Sequence, residues 1–149
     1  MLESPAVNGP RLSDADYRLL AGFRHQLRQF LAFSEGQAEA VGLTPQQHQL
    51  LLAIRAEAPE EPTVGFLAQR LVLRHHSAVG LVDRLEERGL VRRVRSAEDR
   101  RQAHVSLTPG GERVLAKLTV AHRAELQRAA PRLLEVLTQL SRSQPPPEE

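Results

Sequence analysis

Five arginines fall within ten residues, Arg92, Arg93, Arg95, Arg100 and Arg101, with no lysine among them. A guanidinium is planar, permanently charged and presents its donors in a fixed fork, which suits phosphate oxygens and groove edges. A second donor-rich run precedes it: Arg74, His75, His76 and Ser77, with Gly80 and Arg84 following at four-residue steps from His76. That spacing puts three of these positions on one helix face. Asp99 stands beside Arg100, with which it can form a surface ion pair. A charged run by itself equally describes a solvated face, so the elements that position these groups decide between the readings.

Other chemistries are poorly supplied. The chain has no cysteine, which removes thiol sensing, thiolate metal ligands, disulfides and a cysteine nucleophile. Its six histidines lack the HExxH spacing of a zinc site, which leaves a metal-responsive regulator as a lesser alternative. Gly110 and Gly111 follow Thr108-Pro109 and open a helix rather than a phosphate loop. With no nucleophile elbow and no pair of carboxylates set toward a pocket, no catalytic residue, metal ligand or cofactor is expected, and the chain does not read as an enzyme. His25, Arg28 and His48 are polar groups on otherwise apolar helices, and they are the candidates for holding a small anionic or aromatic effector. For His25, His48 and His122, packing in a core or seam is the more ordinary role.

Helical periodicity surrounds the donor runs. A first helix is expected from Ser13, an N-cap answered by Asp16, with Tyr17, Leu20, Phe23, Leu27 and Phe30 on one stripe. Thr44-Pro45-Gln46-Gln47 opens a second helix as a capping box with proline in its first turn, and the stretch 58–62, APEEP, ends it. Thr63 caps a short third helix. After a turn at Leu71–Leu73, a fourth helix near 75–88 buries Ala78, Leu81, Val82 and Leu85 and stops at Gly89. Residues 91–94 and 103–107 alternate as two short strands around a charged hairpin. Thr108 caps a long helix, which Pro131 is expected to end or kink before a last helix containing Leu133, Leu137 and Leu140.

Two short helices joined by a tight turn and followed by a charged hairpin make a winged helix-turn-helix. Its second helix suits a major groove, and its Arg-rich wing suits the adjacent narrow minor groove. The expected fold class is mainly α with a small two-stranded β-wing, flanked by terminal dimerisation helices. The expected segments are a disordered tail at 1–12, an N-terminal dimerisation helix region at 13–42, the winged domain at 43–107, C-terminal dimerisation helices at 108–142 and a disordered tail at 143–149. Net charge is only +2, yet residues 63–107 hold nine basic and five acidic side chains, whereas residues 1–62 hold five and eight. The positive charge therefore falls where a nucleic-acid footprint would lie. A winged domain used only for protein contact would show an apolar recognition face and an uncharged wing, the reverse of this pattern. No apolar run approaches the ~18 residues of a membrane span. MLESPAVNGP lacks the basic-then-apolar pattern of a secretory leader, so a soluble cytoplasmic chain with no membrane partner is expected.

Across residues 43–115 the sequence resembles the MarR family. The marks are LVDRLEERGLVRR at 81–93, the wing triplet Asp99-Arg100-Arg101 and Leu107-Thr108 leading out of the wing. The resemblance implies an intertwined homodimer that places two winged lobes on a pseudopalindromic site in double-stranded DNA. It implies that Asp99 braces the wing tip while Arg101 enters the minor groove. It also implies repression relieved by a small ligand held between the dimer helices and the lobe. The peroxide-sensing branch relies on a reactive cysteine, which this chain lacks. Two positions depart from the family pattern: Arg74-His75-His76 stands where small hydroxyl residues are frequent, and Phe66 where a polar residue is usual.

Overall fold

Hydroxyl caps open most of the helices. In the computed structural model, which describes residues 12–95 and 102–142, the Ser13 N–H donates to the Asp16 carboxylate at 2.8 Å at the head of α1 (Asp14–Ala40). Thr44 and Gln47 form the expected reciprocal box, at 3.1 and 3.2 Å, before α2 (Pro45–Ala56). Thr63 accepts from the Phe66 N–H at 3.1 Å to start α3 (Val64–Arg70). Each such cap satisfies an amide that would otherwise lack an intrahelical partner, and contributes ~1 kcal/mol. The next helix, α4 (His75–Glu87), begins on Arg74 with no side-chain cap. Strands β1 (Val91–Arg95) and β2 (Ala103–Leu107) follow, and α5 (Pro109–Arg142) closes the order.

The residues group into two units. The winged unit comprises residues 32–124; the terminal unit takes in the described residues 12–31 and 125–142. The division falls inside α1 and α5, which each contribute to both.

The winged unit holds the core. Leu50, Leu51 and Ile54 of α2, Leu67 and Ala68 of α3, and Ala78, Leu81, Val82 and Leu85 of α4 are buried together with Val91, Val105, Leu115 and Leu118. Burying a leucine or valine contributes ~1.5–3 kcal/mol, so this leucine-rich stripe pattern supplies what sparse aromatics do not. α4 shows the pattern most clearly. Its buried residues recur at i, i+3, i+4 and i+7, the apolar stripe of a helix laid on a core. Gly89 ends the connection with φ of +71°, the left-handed conformation expected of a helix stop.

β1 and β2 pair antiparallel, with Val91 opposite Leu107 and Arg93 opposite Val105. The hairpin is tied further back into the unit. The Val105 N–H donates to the Pro62 carbonyl at 2.9 Å, and Thr63 bridges His104. At the other end, the Thr108 hydroxyl donates to the Gly89 carbonyl at 2.6 Å and accepts from the Gly111 N–H at 3.0 Å. The Thr108 N–H donates to the Leu90 carbonyl at 3.0 Å. One threonine thus caps α5 and fastens it to the turn between α4 and β1. Gly111 is the contact point: a Cβ there would fall 2.0 Å from the Leu90 carbonyl oxygen. The sequence reading gave Gly110 and Gly111 only the role of opening a helix and missed this close approach.

Two details of the backbone differ from expectation. Pro131 neither ends nor splits the last helix, because α5 runs unbroken to Arg142. Pro131 and Gln127 are both exposed, so the carbonyl left without a donor at position 127 can be hydrated, which lessens the cost of the proline. The second is Val72, in the turn between α3 and α4, which adopts φ of +55°. A β-branched residue there is a backbone outlier that no local sequence signal announces.

Candidate nucleic-acid interface

The face of α4 opposite its buried stripe carries the donor-rich residues. Arg74, His75, His76, Ser77 and Arg84 are exposed, and Gly80 is half-buried. A Cβ on Gly80 would meet nothing within 4 Å, so the helix backbone is open to approach at that position. Arg74 makes no side-chain cap hydrogen bond at the head of α4, so no cap competes there with an anion for the helix N-terminus.

The wing divides its arginines by strand alternation. In a pleated pair, residues 91, 93 and 95 share one face and 92 and 94 the other. Arg92 lies exposed on the outer face and donates to the Ser106 hydroxyl at 3.1 Å across the strand pair. Arg95 is exposed at the end of β1. Arg93 shares the inner face with Val91 and Val105 and turns to α4. Its Nη1 donates to Glu86 at 3.1 Å, its Nη2 pairs with Asp83 and reaches the Val79 carbonyl at 3.5 Å, and its backbone N–H donates to Glu86 at 3.0 Å. By residue type all five arginines suit phosphate and groove contact, with Arg95, Arg100 and Arg101 the expected DNA contacts of the wing. Arg93 is instead engaged within the fold, and the alternation from Val91 is the signal that could have shown it. Asp99, Arg100 and Arg101 lie outside the described residues.

His104 places its Nδ1 2.7 Å from the Glu61 carbonyl, which joins β2 to the segment before α3. Among the exposed apolar side chains of the described winged unit are Phe66 on α3, at 36%, and Val94 on β1, at 43%.

The three effector candidates differ in setting. His25 and Arg28 are exposed on α1 in the terminal unit. His48, on α2 in the winged unit, is 5% exposed, and its ring centroid lies 4.7 Å from that of His122. The His122 Nδ1 lies 2.7 Å from the Leu118 carbonyl, so it donates; its Nε2 lies 2.7 Å from the Ser34 hydroxyl, and Phe33 meets the ring edge-on. Burial, and next the neighbouring His122, hold the His48 imidazole below the usual histidine range. Core packing therefore describes His48 and half-buried His122 as their sequence context suggested. Their mutual contact was not legible, because 74 residues separate them. Among the described residues no three metal-ligating side chains gather.

Comparison with known proteins gives this surface a context. A family model described as the MarR family matches residues 41–102, from before α2 into the wing. The Escherichia coli transcriptional regulator HosA is 38% identical over 94 residues, which cover 62% of this chain and 68% of HosA. In fold, the chain is similar to AbsC, a MarR family transcriptional regulator from Streptomyces coelicolor, with a TM-score of 0.73 at 23% identity over 91% of this chain and 93% of AbsC. It is also similar to Staphylococcus aureus MepR in a crystal structure with DNA, with a TM-score of 0.61 at 21% identity over 88% of this chain and 100% of MepR. With the capped helix-turn-helix, the paired wing and the donor-rich face of α4, these likenesses converge: the chain belongs to the MarR family of DNA-binding transcriptional regulators.

Proposed function

We propose that the chain acts as a homodimer that reads a pseudopalindromic operator in double-stranded DNA and represses transcription in the cytoplasm until a small anionic or aromatic effector releases it. The observation that carries the DNA-reading part is the two-sidedness of α4. One face is locked in the core through Ala78, Leu81, Val82 and Leu85, while Arg74, His75, His76, Ser77 and Arg84 are exposed away from it. A helix so divided is held rigidly while its donors stay free for base edges and phosphates. The wing, with Arg95 and beyond it Arg100 and Arg101, then adds contact to the backbone or minor groove, Asp99 bracing its tip.

The dimer part rests on the terminal unit. Tyr17, Leu20 and Leu27 of α1 and Leu126, Leu134 and Leu137 of α5 are each between 42% and 63% exposed in the single chain. Apolar stripes of that length on a small protein mark a protein-protein surface. Residues 13–42 and 108–142 are accordingly assigned to dimerisation and 43–107 to DNA binding. The effector part rests on residue type alone: His25 and Arg28 are exposed polar groups on α1, and His48 is a polar group on α2.

Selection from a random duplex library, followed by titration of the enriched duplex across salt concentrations, tests the central part. The expected result is an enriched inverted repeat whose affinity falls linearly on logarithmic axes as salt rises, because bound counterions are released. Unenriched sequence after selection overturns it. Aromatic carboxylates added to the same complex test the effector: unchanged affinity and unchanged melting temperature at saturation rule out that ligand class.

A further inference from the structure

A single guanidinium joins the recognition helix to the wing. Val79, Asp83 and Glu86 stand at i, i+4 and i+7 on α4, one face over two turns. Arg93, midway along β1, engages all three: the Asp83 carboxylate, Glu86 at 3.1 Å and the Val79 carbonyl at 3.5 Å. Glu86 also takes the Arg93 backbone N–H at 3.0 Å, so it is held by two donors from one residue. The Arg93 side chain is 24% exposed, against 51% for Asp83 and 43% for Glu86. The anchoring group is thus the sheltered one, and the carboxylates it holds border the exposed face of α4 next to Arg84.

Among the described residues, the other hydrogen bonds of the hairpin outside its own strands lead away from α4. The bonds from Val105 to Pro62 and from His104 to Glu61 hold β2 to the segment before α3, on the other strand. On β1, the buried contact is Val91 at the strand's start, and Val94 is 43% exposed. Among the described residues of β1, Arg93 is the one that hydrogen-bonds to side chains of α4.

We propose that Arg93 is a positioning residue for DNA binding: its fork sets the angle of the wing against the recognition helix without itself touching the nucleic acid. This rests on the DNA-reading function proposed above. The geometry requires a fork. One lysine ammonium is a point donor and cannot span Asp83, Glu86 and the Val79 carbonyl together. Charge masking alone predicts otherwise, since lysine keeps the positive charge beside both carboxylates.

Arg93→Lys and Arg93→Gln, each checked for an unchanged helical circular-dichroism spectrum, separate these roles in two measurements. The first needs no DNA: amide hydrogen exchange over residues 91–95 and 103–107. In both variants it is expected to quicken, while the amides of Leu50, Leu51 and Leu85 keep their protection. The second is operator affinity across a salt series. Residues sharing one network couple by amounts equivalent to roughly 2- to 150-fold, and an affinity loss of about tenfold is expected in both variants. The salt slope should equal that of the wild type, because no phosphate contact is lost; losing one would lower it by about one. Wild-type affinity in Arg93→Lys overturns the proposal in favour of charge masking. A slope reduced by about one overturns it in favour of a direct phosphate contact, and unchanged exchange overturns the clamp itself. A wild-type chain that binds no duplex overturns the function on which the proposal rests, and the exchange result then still decides whether the clamp exists.

Discussion

At the scale of single residues, the structure turns small differences of chemistry into tests with a definite sign. Gly111 sits in the first turn of α5, where alanine is ordinarily the better helix former by ~1 kcal/mol. Its Cβ would meet the Leu90 carbonyl oxygen at 2.0 Å, and that carbonyl is held by the Thr108 N–H. Gly111→Ala is therefore expected to destabilise by ~1–3 kcal/mol, the usual cost of overpacking, in a chemical denaturation series. A gain in stability would show that α5 can lift away from the turn freely. His48 gives a pH test. Its folded-state affinity for a proton is lowered by burial and by His122, so the unfolded chain binds a proton that the folded chain refuses. The associated stability is complete above the unfolded value of about 6.5 and is lost as pH falls through the lowered folded value. Between pH 7 and 5 the unfolding free energy of the wild type should fall more steeply than that of His48→Gln. Parallel curves would mean that His48 takes up its proton without cost. Neither residue announces its role in sequence: Gly111 looks like a helix opener, and the partner of His48 is on another helix.

At the scale of elements, most of the architecture was legible because each boundary carries its own chemistry. Ser13, Thr44, Thr63 and Thr108 all stand at helix starts, and Gly89 at a stop. The stripe of α4 and the alternation of β1 and β2 are equally local. What was not legible came from tertiary context. Pro131 stays within α5 although proline's local preference argues for a break. Arg93 turns inward although arginine's composition argues for solvent. The turn between α3 and α4 hides a further case, since Val72 is 91% exposed and left-handed. Its side chain packs on nothing that would be lost by truncation. Left-handed strain of ~1–2 kcal/mol is relieved in Val72→Gly, against ~0.5–1 kcal/mol for glycine's greater freedom when unfolded. A net stabilisation of roughly 0.5–1 kcal/mol is expected from thermal or chemical unfolding. A loss of stability would mean that Val72 has a packing partner in solution.

At the scale of the whole molecule, charge and apolar surface are separated along the chain. The excess of basic residues falls within 63–107, around α4 and the wing, while exposed leucines mark the terminal portions of α1 and α5. The proposed function uses both: a surface that meets DNA and one that meets a second copy of the chain. The proposed homodimer should sediment as two chains at micromolar concentration, and a stable monomer would remove the pseudopalindrome from the account. The central claim, that the exposed face of α4 reads DNA sequence, is tested most directly by one comparison of affinities. Arg84→Ala is titrated against the selected duplex and against a random duplex of equal length at one salt concentration. An arginine that reads a base edge contributes ~1–3 kcal/mol of discrimination. Arg84→Ala should lose about that much on the selected duplex and little on the random one; equal losses on the two, or none on either, would contradict the claim.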